Sequence, residues 1–218
     1  MADARSREQQ VANSEEHTQW ELLLNRLWER GVRAERGLKM IVRDGSGGLG
    51  EALALVYGKS ILDQWCVFHK LHNVAEKVRS ELKGKENRER RKQIMEQAAL
   101  IYRAPQAEQA RERLSAWAQQ WYPQAPHAVA TLERDFEQTL ISYQLDDVTR
   151  QWIRTTSLLE RTKRELRRKF RQAVTFGCYV GANVAVFLQV QRLHAFWTNV
   201  AWWQASHDLY VVLADLHP

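Results

Sequence analysis

The feature that most constrains this fold is a change of hydrophobic periodicity within the first 70 residues. Apolar residues recur at helical spacing over Glu15–Arg33, whereas Leu38–Val42 is a continuous apolar run of strand length. A polar turn at Asp44–Gly48 leads into a second helical pattern at Leu49–Tyr57, and a second strand is predicted at Ser60–His69. Helices that alternate with strands in this order predict an α/β fold with a parallel sheet.

The rest of the chain shows helical patterns only. The tail, Ala173–Ala214, is predicted to be helical, and its charge-free part, Ala173–Val190, contains polar residues and glycines that favour a buried helix over a membrane span. No strand pattern occurs between Lys70 and about Gln151. The predicted helices there are 70–84, 86–103, 106–121 and 126–144.

Composition bounds the partners and the compartment. The chain has 218 residues and a formal net charge of +6, which indicates an anionic partner, with nucleic acid foremost. Only two cysteines occur, which fits a reducing cytoplasm, and no signal peptide pattern is visible. The run Lys77–Lys92 holds eight bases and three acids. It is either a surface that binds DNA or a solvated helix face with internal Glu–Arg pairs.

A second basic cluster surrounds a single acid, Glu160. At helical spacing Glu160 shares a face with five bases, and Leu159, Leu166 and Phe170 lie on the other face. A carboxylate within a basic stripe suits a divalent cation held against nucleic-acid phosphates. Ser157 and Glu160 also form a capping box, in which Glu160 would only satisfy a backbone N–H. The five bases of this stripe are Lys163, Arg164, Arg167, Arg168 and Arg171.

Two further motifs are candidates for chemistry. Asp44 follows the C-terminal end of a predicted strand, where open α/β sheets collect ligands and metals, although an Asp before Gly is also a common turn residue. Cys66 and His69 have half of a zinc-site spacing, but no second Cys or His pair lies at a matching spacing. A structural zinc site is therefore not expected.

The order of these motifs resembles the mutator-type transposases of bacterial insertion sequences. Three segments carry the resemblance, namely Ile41–Leu53, Gln64–Val74 with its Cys-x-x-His-x-x-x-Asn pattern, and Arg154–Arg168 with Thr-Thr-x-x-x-Glu-Arg. The resemblance extends over nearly the whole chain from about residue 15. The joint order and spacing are specific, whereas no single motif is.

The resemblance implies the following fold and domains. The fold class is α/β, with a partial ribonuclease H-like fold, a large all-helical insertion and a helical C-terminal tail. The expected divisions are a loose N-terminus at 1–14, the first part of the catalytic domain at 15–72, the helical insertion at 73–152, and the catalytic-Glu helix with the C-terminal region at 153–218.

The resemblance also implies a site with three catalytic acids, Asp-Asp-Glu, that hold two Mg²⁺ or Mn²⁺ ions. The second Asp corresponds to Asp44 and the Glu to Glu160, while Cys66 and His69 are expected to be local supports. The first Asp would lie on a strand before the first helix, and nothing before Glu15 supplies it. The chain is therefore expected to be a C-terminal fragment that is inactive alone.

Function and partners follow from the same resemblance. The expected function is DNA transposition, by metal-dependent strand cleavage and transfer at insertion-sequence ends. The alternative is a catalytically inactive remnant that binds DNA or the full-length transposase. The expected partners are insertion-sequence ends, target DNA and further copies of the chain. A membrane is not an expected partner, and the expected location is the bacterial cytoplasm, at the nucleoid when the protein is bound to DNA.

Overall fold

The computed structural model describes residues 17–145, 164–168, 170–171, 179–198 and 209–212. The chain forms two compact units. Unit 1 comprises residues 1–62 and 156–218, and unit 2 comprises residues 63–155. The predicted domain boundaries at 72/73 and 152/153 refer to function and stay predictions.

Unit 1 is built on a helix pair and a strand. Helix α1 (His17–Glu29) packs against α2 (Gly47–Tyr57), and strand β1 (Leu38–Arg43) lies between them in the chain. Their apolar faces form one core, because Leu24 and Leu49 are fully buried. Gly58 ends α2, as the sequence predicts.

The sheet of unit 1 pairs two strands that are distant in sequence. Strand β1 runs parallel to β3 (Leu209–Val212), with Val42 opposite Val212. The predicted parallel sheet is confirmed, whereas the prediction that the tail is helical is wrong at β3. Leu-Tyr-Val-Val has the aromatic and β-branched residues that favour strands, and pairing with β1 gives partners to the backbone groups that face that strand.

Unit 2 is helical over most of its length. Its helices pack around one core that includes Val74, Ile94 and Leu132. Trp117 lies in this core and donates its indole N–H to the Ile94 carbonyl oxygen (3.1 Å). The predicted helices are thus confirmed in number and order up to residue 133. They are α3 (Val67–Glu81), α4 (Arg88–Ile101), α5 (Ala107–Trp121) and α6 (Pro126–Glu133).

Two predicted boundaries are wrong. Strand β2 (Leu62–Trp65) ends four residues before His69, because Cys66 is the extended residue before α3 and the next three residues belong to that helix. The predicted helix 126–144 ends at Glu133. Asp135 has the left-handed φ of 52°, which interrupts a right-handed helix, and two 3₁₀ turns follow it.

Buried polar side chains fix the segment after α6. Gln64 is fully buried, donates from Nε2 to the Thr139 carbonyl oxygen (2.7 Å) and accepts from the Ser142 N–H (2.7 Å). Lys70 is 9% exposed and donates from Nζ to the Arg134 carbonyl oxygen. Burial lowers the pKa of Lys70. These contacts tie residues 134–142 to β2 and α3.

Helix α7 (Tyr179–Thr198) belongs to unit 1. Val180, Val184, Phe187 and Leu188 are each more than half exposed. The prediction of a buried helix is therefore wrong for this part of Ala173–Val190. Within the described ranges, no helix combines the length and the apolar character that a bilayer span requires.

Candidate functional site

The loop from β1 to α2 carries the acid that the sequence singled out. Asp44 directly follows β1, and its Oδ1 accepts the Ser46 N–H (3.1 Å). Ser46 in turn caps α2, since its Oγ accepts the Leu49 N–H (3.4 Å). Gly45 has a φ of 97°, a conformation that favours glycine. The turn role of Asp44 is thus confirmed.

The Arg43 side chain also clamps this loop. Its side chain is 7% exposed, and Nη1 donates to the Ser46 carbonyl oxygen (2.7 Å). The guanidinium passes close to α2, because a Cβ built on Gly50 would lie 2.8 Å from Nη2. Sequence reasoning missed Arg43. The available signal was a base at the end of an otherwise apolar strand that is followed by closely spaced glycines.

The Asp44 carboxylate is held in a defined position within its loop. The Ser46 N–H donates to its Oδ1. That hydrogen bond and the Arg43 clamp hold the backbone of Ser46, and so fix the loop around the carboxylate. Asp44 therefore lies, partly exposed and oriented, at the carboxyl end of a parallel strand, which is a suitable position for an oxygen ligand of a hard cation.

The other predicted catalytic acid, Glu160, and its neighbour Lys163 lie outside the described residues. The convergence of Asp44 and Glu160 therefore stays a prediction. The choice between metal binding and capping at Glu160 stays open in the same way.

The described part of the basic stripe is helical over residues 164–168. Its four bases, Arg164, Arg167, Arg168 and Arg171, are exposed, whereas Leu166 and Phe170 are partly buried, as the predicted amphipathic pattern requires. One partner was missed. Glu165 accepts from both Nε (3.0 Å) and Nη2 (2.7 Å) of Arg168, an i,i+3 pair that the sequence spacing allows. Arg168 is therefore partly neutralised.

Cys66 and His69 lie at the start of α3. The Cys66 thiol is 1% exposed and forms no disulfide, and the His69 ring packs edge-on against Phe68 with 5.6 Å between ring centroids. Across residues 17–145 and the shorter described segments, no three His, Cys, Asp or Glu side chains group in a way that could hold a metal. The supporting role of Cys66 and His69 stays a prediction.

Comparison with known proteins identifies the family. The model of the Mutator family of transposases matches residues 8–199, so this chain belongs to that family. The family predicted from the three sequence segments is thus confirmed.

Three relatives are transposases of insertion sequence elements. The chain is 25% identical over 207 residues to that of ISRM5 from Rhizobium meliloti (strain 1021), covering 95% of this chain and 47% of the relative. It is 28% identical to that of IS905 from Lactococcus lactis subsp. lactis (strain IL1403) and 30% to that of IS406 from Burkholderia multivorans (strain ATCC 17616 / 249). Both alignments cover 77% of this chain, with 39% and 40% of the respective relatives. The chain thus spans less than half the length of these relatives.

Proposed function

We propose that this chain supplies part of a DDE-type DNA transposase, in which Asp44 and Glu160 belong to one metal-binding active site in a ribonuclease H-like fold. The observation that carries the proposal is the Asp44 carboxylate, oriented by its turn at the carboxyl end of β1. The parallel pairing of β1 with β3 and the helix that follows Asp44 support the proposed fold. The substrates are insertion-sequence ends and target DNA.

In this proposal the acids bind metal and the bases bind DNA phosphates. Asp44 and Glu160 are oxygen donors, which is the ligand type that Mg²⁺ and Mn²⁺ prefer. Bound metal supplies activation of the attacking oxygen and stabilises the leaving oxygen. The Arg43 clamp and the Ser46 hydrogen bond would keep the Asp44 carboxylate in place when a metal cation binds. Arg164 and Arg171 extend from the basic stripe and position phosphates, which contributes affinity without sequence choice.

Metal binding tests the site directly. Titration of the chain with Mn²⁺, followed by electron paramagnetic resonance of the free ion, is expected to show binding that weakens about tenfold or more in Asp44→Asn and in Glu160→Gln, because each removes a charged ligand. Glu51→Gln is the matched control, since Glu51 is exposed on α2 and its loss changes the net charge equally. Equal weakening of Mn²⁺ binding in all three variants would mean that only the net charge matters, and would contradict a metal site at Asp44 and Glu160.

DNA binding tests the stripe. Arg164→Ala combined with Arg168→Ala is expected to weaken binding to any duplex and to lower the slope of log K against log salt by roughly one per lost contact. Arg168→Ala alone should weaken binding less than Arg164→Ala alone, because Glu165 already compensates part of the Arg168 charge. Arg36→Ala with Lys59→Ala removes two exposed bases elsewhere in unit 1 and serves as control. Equal losses in the two double variants would mean that the stripe is only a solvated face.

A further inference from the structure

Unit 2 carries a group of exposed bases at one end of a helical hairpin. Helices α3 and α4 pack together and are joined by the six-residue connection 82–87. The bases lie in the last turns of α3, in the connection and at the first residue of α4, and all of them are exposed. We call this surface the basic tip. Its members are Lys77, Arg79, Lys83, Lys85 and Arg88.

The acids near the basic tip do not neutralise it. Glu81 is used elsewhere, because its carboxylate accepts the N–H groups of His127 (2.8 Å) and Ala128 (3.0 Å) and so caps α6. Every residue of Lys77–Lys92 is described, and no ion pair joins two residues of that run. Internal Glu–Arg pairs, the alternative interpretation of this run, therefore do not form. Eight bases against three acids leave a formal charge of +5 on sixteen residues.

Two other side chains of the run hold the connection in shape. Arg91 donates from Nη1 to the carbonyl oxygens of Leu82 (2.5 Å) and Gly84 (2.7 Å), and Asn87 donates from Nδ2 to that of Lys83 (2.6 Å). Gly84 has a φ of 91°, which favours glycine in this turn. The bases of the basic tip are thus mounted on a fixed backbone, so less conformational entropy is lost when they bind a partner.

The partner that fits is the phosphate backbone of duplex DNA. Lys and Arg heads that have no protein partner gain most from a dense array of negative charges, and DNA carries one charge per about 1.7 Å of helix axis. Lys and Arg contacts to backbone phosphates carry no sequence information, so sequence-independent binding is expected.

We propose that the basic tip of unit 2 is a second DNA-binding surface, which contacts backbone phosphates independently of the basic stripe near Glu160. The proposal rests on the proposed action of the chain on DNA. It adds a role for the helical unit that the active-site residues do not supply.

Binding of the whole chain to a fluorescent duplex of arbitrary sequence tests the proposal. Anisotropy titrations over a series of potassium chloride concentrations compare the natural chain with a variant that combines Lys83→Gln and Arg88→Gln. Two lost phosphate contacts should lower the slope of log K against log salt by about 1.8 and weaken binding about tenfold or more at 0.1 M salt. Both side chains are exposed and neither forms a hydrogen bond or ion pair within the protein, so the melting curve should be unchanged.

The matched control removes two bases from the other end of unit 2. Arg103 follows the C-terminus of α4 and Arg134 that of α6, and both are exposed. Arg103 lies about 20 Å along α4 from Arg88, given the helical rise per residue. Arg103→Gln with Arg134→Gln changes the net charge equally and should alter affinity less than twofold. Equal losses of DNA affinity in the two variants would contradict the proposal that the basic tip binds DNA.

The same titrations separate this proposal from the proposed function. If the natural chain binds DNA and only the Arg164 and Arg168 variant binds more weakly, the proposal for the basic tip is wrong and the proposed function stands. If the natural chain binds no duplex at any salt concentration, both are wrong. If the basic-tip variant alone loses affinity, the helical unit binds DNA and the stripe does not.

Discussion

Incubation of insertion-sequence DNA with the purified chain is expected to yield no strand cleavage or joining above a Glu160→Gln control, with either Mg²⁺ or Mn²⁺. The resemblance to DDE-type transposases implies a site in which three carboxylates and the DNA phosphate would balance the four positive charges of two divalent ions. Within these 218 residues two acids, Asp44 and Glu160, match that pattern. On this proposal one ion would lack a bridging ligand, and the separation of the two ions, which sets the geometry of attack, would not be fixed.

The assay uses DNA that carries the element's own ends, and Asp44→Asn serves as a second control. Product above both controls would show that another acid, from this chain or from a second copy, completes the site. A non-catalytic chain that only binds DNA also gives no product. The Mn²⁺ titration separates the two cases, because only a chain with the carboxylate site loses metal affinity when Asp44 is changed.

Replacement of Gln64 by Ala is expected to destabilise unit 2 by about 3–5 kcal/mol. Gln64 is fully buried, and its loss leaves the Thr139 carbonyl oxygen and the Ser142 N–H without their hydrogen-bond partner. Each such buried group costs about 1–3 kcal/mol, and the vacated side-chain volume adds a cavity. Urea unfolding followed by circular dichroism, with hydrogen exchange of residues 63–145, measures the loss in unit 2.

The matched control is Gln93→Ala on α4, because Gln93 is exposed and makes no contact of this kind. Its effect should stay within about 0.5 kcal/mol, as is usual at exposed positions. A loss below about 1 kcal/mol in Gln64→Ala would mean that the segment after α6 is not held by this side chain.

The local sequence pattern was sufficient to predict those elements that depend on residues close together in the sequence. The switch from helical to strand periodicity placed α1, β1 and α2, and the apolar spacing of the middle region placed four helices of unit 2 in order. The position of Asp44 after a strand followed from the same pattern. Its turn was also predictable, because an Asp before Gly favours a hydrogen bond to the backbone two residues on.

The candidate site was less completely predictable. The basic stripe and its apolar face followed from helical spacing, but the pairing of Arg168 with Glu165 required the rotamers of both side chains. Arg43 gave a weak signal only, since a base at a strand end is more often exposed than buried. Whether the acids of Lys77–Lys92 neutralise its bases depended on the hydrogen-bond partner of Glu81. That partner is α6, which lies more than forty residues further along the chain.

The sequence by itself determined the family, the order of helices and strands through unit 2, and the placement of Asp44, because these depend on residue type and short-range spacing. Only the tertiary structure decided that Leu209–Val212 pairs with β1, that the predicted last helix of unit 2 stops at Glu133, and that Glu81 caps α6. The physical reason is the same in each case. A backbone hydrogen-bonding group takes whatever partner the fold brings to it, and partners far along the chain leave no periodic trace in the sequence.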